Sequence, residues 1–335
     1  MKPLVSICIP NYNNAKYLDM CIISALNQTY SNIEIIFVDD RSTDESLIIA
    51  SKYKDKIKIY VNEKNTGQPK CTNKCIELSK GKYLVILHSD DLLLPHMVEK
   101  LVSIIDECPN VGIAVGERII TDENNNNRKI APFYNTNCII PGLKQARIFM
   151  MTSYLPCQVL VRREVMEKIG GVDERHISNL DGLLWFKCAL VSDVIYIQDE
   201  VCIYRIHKEQ TTAQYNRTIN HMMEYYITLT EMFKLAKNIS YLEDYFITAE
   251  KRTAELTLRY CCDVLKNGDY KLASRYLILA KVFDSEIKNN KKYGIINACL
   301  ESNEPYEVYK ILVGEESERN FSYSPPEGSS KFEAI

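Results

Sequence analysis

A chain of 335 residues, 46% apolar and 25% charged, is long enough for more than one buried core and ordinary in make-up for a globular protein in water. Its formal net charge of −3 gives no reason to expect a nucleic-acid partner, and no stretch reaches the ~20 apolar residues a membrane-spanning helix needs. The twelve cysteines follow no C-x-x-C pattern and mostly sit in apolar runs such as VSICIP and WFKCAL, which reads as free buried thiols in a reducing cytoplasm.

LVSICIP predicts a buried first strand; with no long apolar region and no small-residue cleavage site, it does not read as a signal peptide. AKYLDMCIISALNQTY has helical apolar spacing, and IEIIFVDD is a second strand. STDESLIIASKYKD predicts a helix opened by the capping box Ser42-x-x-Glu45. KIKIYVNE is a third strand, QPKCTNKCIELSKG a helix closed by Gly81, and KYLVIL a fourth strand. PHMVEKLVSIIDECPN is a helix with Pro95 near its start, and VGIAVG a fifth strand. This alternation predicts a parallel α/β sheet.

From about residue 121 the rhythm breaks. DENNNNRKIAPFYNTN reads as a polar loop, and CQVLVRREVMEKIGGVDE as a strand and a helix ended by Gly170-Gly171. LDGLLWFKCALVSD is helical, and VIYIQDEVCIYRIHKEQTTAQ holds one or two short strands. Residues 216–313 carry the apolar stripes of helical hairpins, and the polar residues 314–335 predict a mobile tail.

Polar residues gather at the strand ends: Pro10-Asn11-Tyr12-Asn13, Asp39-Asp40, Asn62-Glu63 and His88-Ser89-Asp90-Asp91. In a parallel sheet these ends share one edge, which is where open α/β sheets bind ligands. Neither G-x-G-x-x-G nor G-K-[ST] is present, so neither common glycine-rich phosphate cradle is built here, which makes a nicotinamide dehydrogenase a distant third reading. Adjacent aspartates repel each other but hold a divalent cation well, and such a cation shares ligands readily with a diphosphate.

VSICIPNYNNAKYLDMCIISALNQTYSNIEIIFVDDRSTDES and NTGQPKCTNKCIELSKGKYLVILHSDDLLLP closely resemble the opening of family 2 glycosyltransferases, which have the GT-A fold. LVRREVMEKIGGVDE, NLDGLLWFKCALVSD and YRIHKEQTT resemble the second half of that domain, so the likeness runs in order over residues 3 to 212. The resemblance implies an α/β GT-A domain over 1–215, a Rossmann-like mostly parallel sheet flanked by helices, followed by the helical region. It implies inverting transfer of a sugar from a nucleotide-diphosphate donor, a UDP-sugar above others, to a glycan or glycolipid hydroxyl in surface polysaccharide synthesis. Pro10, Tyr12 and Asn13 would line the base and ribose pocket, and Asp40, with Asp39 beside it, would accept a hydrogen bond from the base. Asp90 would face ribose or metal, and Asp91 would bind Mn2+ or Mg2+ with His207 closing over it. Arg205 would support His207, and Asp181 would be the catalytic base.

Three positions depart from the family pattern. His88 stands where an aspartate is common, Thr72 where an arginine is common (Lys70 being the nearest substitute), and Leu180 where the glutamate of a Glu-Asp pair is usual. Taken singly, Asp39-Asp40 reads as a turn and helix cap, Asp181 as an N-cap, His207 as a surface or core histidine, and Trp185 as core packing. The rival from another class is a binding or assembly protein with a degenerate nucleotide domain. The expected setting is cytoplasmic, with the helical region supporting self-association or peripheral attachment to the inner face of a membrane.

Overall fold

The computed structural model describes residues 2–124, 126–128, 130–152, 155, 157–176, 179–210, 218–302, 305–313 and 321–333. The chain divides into two compact units. The first holds the chain up to Phe149, the stretch ending at Ile206 and the C-terminal segment; the second holds Met150–Thr152 and the chain from His207.

In the first unit the strands are β1 (Val5–Asn11), β2 (Ile33–Asp39), β3 (Lys58–Val61), β4 (Tyr83–Ile86), β5 (Leu92–Leu93), β6 (Val111–Thr121), β7 (Asn127–Arg128), β8 (Cys138–Ile140), β9 (Val159–Arg162), β10 (Asp193–Arg205) and β11 (Ser330–Lys331). The helices are α1 (Ala15–Leu26), α2 (Ser46–Ser51), α3 (Gln68–Leu78), α4 (Met97–Ile105), α5 (Gly142–Phe149), α6 (Arg163–Ile169) and α7 (Leu180–Ala189). One sheet runs β11-β8-β10-β6-β9-β4-β1-β2-β3, with β5 added to β10 and β7 to β6.

β1 and β4 are buried along their whole length. Continuous apolar strands of this kind suit a parallel sheet covered on both faces. β1 pairs parallel with both β2 and β4, and β2 with β3. Between β10 and β3 the parallel run is interrupted by β9, which lies antiparallel between β4 and β6, and β8 lies antiparallel between β10 and β11. Arg162 closes β9 and is buried, but its guanidinium donates to the carbonyls of Val111 at 2.6 Å, Ile105 at 2.6 Å and Cys108 at 3.1 Å. Those donations satisfy a buried cation and lock β9 to the start of β6.

Two expectations need correction. The predicted short strands after residue 193 are one thirteen-residue strand, β10, whose pairing with β6 slips between Tyr196 and Glu200 and again before Cys202. Such irregularities bend a strand without ending it. Of the residues read as a mobile tail, 314–320 and 334–335 lie outside the described residues, while the rest meet the sheet: Ser330 and Lys331 pair with Ile139 and Cys138 of β8, and Tyr323 N–H donates to Phe133 O at 2.8 Å. β8 would otherwise present an unpaired edge, and the C-terminal segment covers it.

The second unit is helical: α8 (Asn220–Leu235), α9 (Ser240–Glu243), α10 (Phe246–Lys266), α11 (Tyr270–Phe283), a 3-10 turn (Ser285–Asn289), α12 (Lys291–Leu300) and α13 (Pro305–Val313). α10 and α11 pack as a hairpin through Leu258, Cys261, Leu265, Ala273, Tyr276 and Ala280, all nearly inaccessible. Asp269 caps α11 by accepting Leu272 N–H at 2.9 Å.

Gly142 opens α5 where the chain passes tightly over the end of α7, its N–H donating to Asp193 Oδ1 at 2.8 Å. A methyl group there would run into the carbonyl oxygens of Ala189 and Ser192. Gly142→Ala is expected to lower stability by about 1–3 kcal/mol in urea unfolding, since backbone cannot give way as a flexible side chain can.

Candidate active site

β1 and β2 run in register from Val5 against Ile33 to Asn11 against Asp39, so they finish at the same edge. Asp39 is fully buried there. Its Oδ1 accepts Ser42 N–H at 2.7 Å, and its Oδ2 accepts the Ser42 hydroxyl at 2.6 Å and Asn11 Nδ2 at 2.9 Å. Ser42 is therefore committed to Asp39, and the predicted capping box does not form. α2 starts at Ser46 with no side-chain bond from its N-cap, Glu45. Asp44 serves the turn instead, accepting Ser46 N–H at 3.0 Å and Ala15 N–H at 2.9 Å.

Asp40 is 1% exposed. Its Oδ1 accepts Asn62 Nδ2 at 2.7 Å and the Thr66 hydroxyl at 2.8 Å, and its Oδ2 accepts Gly67 N–H at 2.7 Å. Thr66 N–H is shared between both oxygens at 2.9 and 3.0 Å. A carboxylate offers about four lone-pair sites, so this one is already filled by the turn that leads into α3. A nucleotide base would have to compete with those donors for Asp40. Tyr12, by contrast, is 47% exposed and offers a ring face. Beside it Asn13 adopts a left-handed φ of 52°, held by its Oδ1 accepting Thr43 N–H at 2.8 Å and its own N–H donating to Ser42 Oγ at 2.9 Å. Pro10 is buried in β1 opposite Val38.

The loop after β4 joins this group. Asn14 Nδ2 donates to Ser89 Oγ at 2.8 Å, and Cys21 Sγ to His88 O at 3.6 Å. Asp91 N–H turns back onto His88 O at 3.0 Å. The end of β10 grips the loop from its other side: Arg205 N–H donates to Asp91 Oδ1 at 2.9 Å and its Nη1 to Asp90 O at 2.8 Å. The Arg205 guanidinium lies 4.8 Å from the Tyr17 ring, and the side chain is 3% exposed. The short β5–β10 pairing of Leu93 with Cys202 continues that grip.

The His88 ring feels the charge of three carboxyls, Asp181, Asp91 and Asp90. Burial raises the Asp91 acid to about 7, with Asp90 adding to the rise, while His88, the Arg205 N–H and the Cys157 thiol act the other way. Burial also raises Asp181, and His88 lowers it. For His88 burial favours the neutral ring, but Asp181, Asp91 and Asp90 outweigh it and the net movement is upward. His88 and Asp181 are each only partly exposed, and His88 Nε2 is buried. Asp181 lies in the first turn of α7. Trp185, one turn on, is 2% exposed and donates Nε1–H to Leu155 O at 2.8 Å, a core residue as expected.

His207 falls in the second unit, is 4% exposed, and donates its N–H to Gln210 Oε1 at 3.4 Å. Lys70 is exposed on α3 and pairs with Glu174 at 4.0 Å. Two groups escaped sequence reasoning. Asn11 Oδ1 is buried without a hydrogen-bond partner among the described residues, and Cys157 turns a thiol towards Asp91. The strand-end cluster marked the place of Asn11 but not its open oxygen, and a cysteine in an apolar run carries no sequence mark at all.

Among the described residues no three His, Cys, Asp or Glu side chains converge as a cage for an ion. What the loop offers is Asp91 Oδ2, buried with no conventional hydrogen-bond donor and only the weak thiol of Cys157 at hand. One such oxygen fits a hard cation whose other ligands are substrate oxygens and water.

Residues 6–170 match the sequence profile described as Glycosyl transferase family 2. An uncharacterized glycosyltransferase of Rickettsia prowazekii is 35% identical over 233 residues, 67% of this chain and 69% of that protein. The glycosyltransferase GlyG of Streptococcus pneumoniae is 30% identical over 220 residues, 61% of this chain and 71% of that protein. Among solved structures, residues 1–349 of S. aureus TarS with UDP-GlcNAc superpose with a TM-score of 0.56 at 18% identity, covering 99% of both chains. The mannosyltransferase PcManGT of Pyrobaculum calidifontis with GDP-Man and Mn2+ gives 0.56 at 18% identity, covering 94% of this chain and 89% of that one. At that identity the structural likenesses speak to fold alone.

The state of Asp91 sets a pH dependence. In the unfolded chain the acid ionises near 4, while in the folded protein burial delays it to about 7. The unfolded state therefore loses its proton first as pH rises, and stability is drawn down between those values and stays level above them. Asp91→Asn removes the titration and leaves an oxygen for Arg205 N–H. Without divalent cations, its unfolding free energy relative to the native protein is expected to grow by about 1–3 kcal/mol from pH 4.5 to pH 8. A pH-independent difference would contradict the assignment.

Proposed function

Because this chain belongs to glycosyl transferase family 2, we propose that it moves a sugar from a UDP-sugar to a hydroxyl acceptor with inversion at the anomeric carbon. The observation that carries this reading is electrostatic: Asp181, Asp90 and Asp91 act together on the one imidazole of His88. A raised carboxyl and an aspartate pair thus act on one side chain at the end of β4.

In this reading Asp181 takes the proton of the acceptor hydroxyl as its oxygen attacks the anomeric carbon. The bond from that carbon to the diphosphate breaks on the opposite face, and the electron pair leaves with the nucleoside diphosphate. Burial suits Asp181 to the task, since a carboxylate with a raised pKa is the better base. Tyr12 packs against the base, and Asn13, Pro10 and Asp90 shape the nucleoside pocket. Asp39 and Asp40 act by holding the Ser42 and Thr66–Gly67 turns that frame it. Asn11 Oδ1, buried without a partner among the described residues, is the free acceptor for a base N–H.

A divalent cation would be held by Asp91 and would offset the charge gathering on the leaving diphosphate. Arg205 fixes the loop that presents Asp91. The solved relatives with UDP-GlcNAc, and with GDP-Man and Mn2+, support a nucleotide-sugar donor and a metal as a reading for this chain. A glycan or glycolipid acceptor in surface polysaccharide synthesis is the reading that suits the family.

The test is release of UDP from a panel of UDP-sugars with and without manganese, beside nucleotide binding by calorimetry. Asp181→Asn should cut transfer by about 10²–10⁴-fold while leaving UDP affinity within about twofold. Full transfer by that variant would remove Asp181 from the role of base. Failure of any nucleotide to bind with manganese present would sink the donor assignment.

A further inference from the structure

α11 presents two unlike faces. Leu272, Ala273, Tyr276, Leu277, Ala280 and Phe283 are buried against the rest of the helical unit. The opposite face carries Tyr270, Lys271, Arg275, Ile278, Lys281 and Val282, spaced so that they share one side of the helix. Ile278 is 64% exposed and Val282 72%, which is open for branched apolar side chains. Two such residues one turn apart form a small apolar ridge with cations on its flanks.

Along the helix itself the charge has a single sign, with Asp269 and Asp284 standing at its two ends as caps. α11 itself contains no Asp or Glu. The segment 270–292 carries six Lys or Arg against only Asp284 and Glu286, in a chain whose formal net charge is −3. Those two acids are engaged: Asp284 Oδ1 accepts Glu286 N–H at 3.0 Å, and Glu286 meets Lys288 at 3.7 Å and Asn289 at 2.8 Å. Lys271, Arg275 and Lys281 form no ion pair with a described residue. The cations of the ridge are therefore uncompensated.

From this pairing of exposed apolar groups with uncompensated cations, we infer that the α11 face docks on an anionic lipid bilayer surface, lying along it. Lipid phosphates receive Lys271, Arg275 and Lys281, while Ile278 and Val282 enter the boundary between headgroups and acyl chains, with Tyr270 at headgroup level. A bilayer supplies both chemistries side by side. A nucleic acid has no apolar layer to receive the ridge. A second copy docked by two-fold symmetry through this face would bring like cations together. Among the described residues no helix is long and apolar enough to cross a membrane, so attachment here is peripheral. The inference does not depend on the transfer reaction.

Co-sedimentation of the full chain with vesicles tests it. Vesicles of phosphatidylcholine with about 30% phosphatidylglycerol should bind the protein, and binding should fall as salt screens the contact. Lys271→Glu/Arg275→Glu/Lys281→Glu should weaken partition by more than about tenfold, at about fivefold per cation. Ile278→Ser/Val282→Ser should also weaken it, which charge alone would not do. All five positions are exposed, so thermal melting by circular dichroism should be unchanged in both variants. No binding to anionic vesicles, or equal binding by all three proteins, would overturn the inference. So would a dimer in sedimentation velocity that Val282→Glu dissolves, which would assign the face to a second copy.

Discussion

Carboxylates gathered at the carboxyl edge of a parallel sheet cannot all stay ionised unless each finds donors. The first unit meets this constraint differently at each position. Asp39 is matched by Ser42 and Asn11, and Asp40 by Asn62, Thr66 and Gly67. Asp91 receives one backbone N–H from Arg205 and is otherwise left to burial, Asp90 and the ring of His88. The first two aspartates shape turns, and the third keeps an oxygen in reserve. The filled lone pairs of Asp39 and Asp40 are committed to the fold, whereas Asp91 Oδ2 has no hydrogen-bond partner among the described residues.

The rest of the fold serves that edge. β10 must reach from β8 at its start to the aspartate loop at its end, and its register slips let a long strand make the journey. It delivers Arg205, whose backbone and guanidinium together hold Asp90 and Asp91 in one turn. The β1–α1 loop approaches the aspartate loop from the other side through Asn14 and Ser89. His88 stands where the family commonly has a carboxylate, and the neighbouring aspartates draw it towards its charged form, which lowers the repulsion among them.

The helical unit follows a simpler physics. Its core is filled by small and aromatic side chains of α10 and α11, and its caps are local. That packing uses one face of α11 and leaves the other to solvent, so the composition of the outer face is free to answer to something beyond stability. Exposed branched apolar residues between lysines and an arginine are costly in water unless a partner covers them.

Much of the first unit was legible in the sequence. Strand and helix periodicity located the alternating elements, and the rule that parallel strands end together placed Tyr12, Asp40 and Asp91 on one edge. The ordered motifs supplied the family. What local pattern could not supply was partnership. Ser42 looks like a helix cap until Asp39 is folded beside it. Residues 321–333 look like a tail until β8 offers an open edge. β9 looks like any other strand until Arg162 finds the carbonyls of Val111, Ile105 and Cys108. Local sequence determines which residues are apolar, which turn and which carry charge, because those properties act over a few bonds. Which carboxylate is filled and which is left open was decided only in the tertiary structure, because the donors come from loops far apart in the chain and meet only once the sheet has assembled.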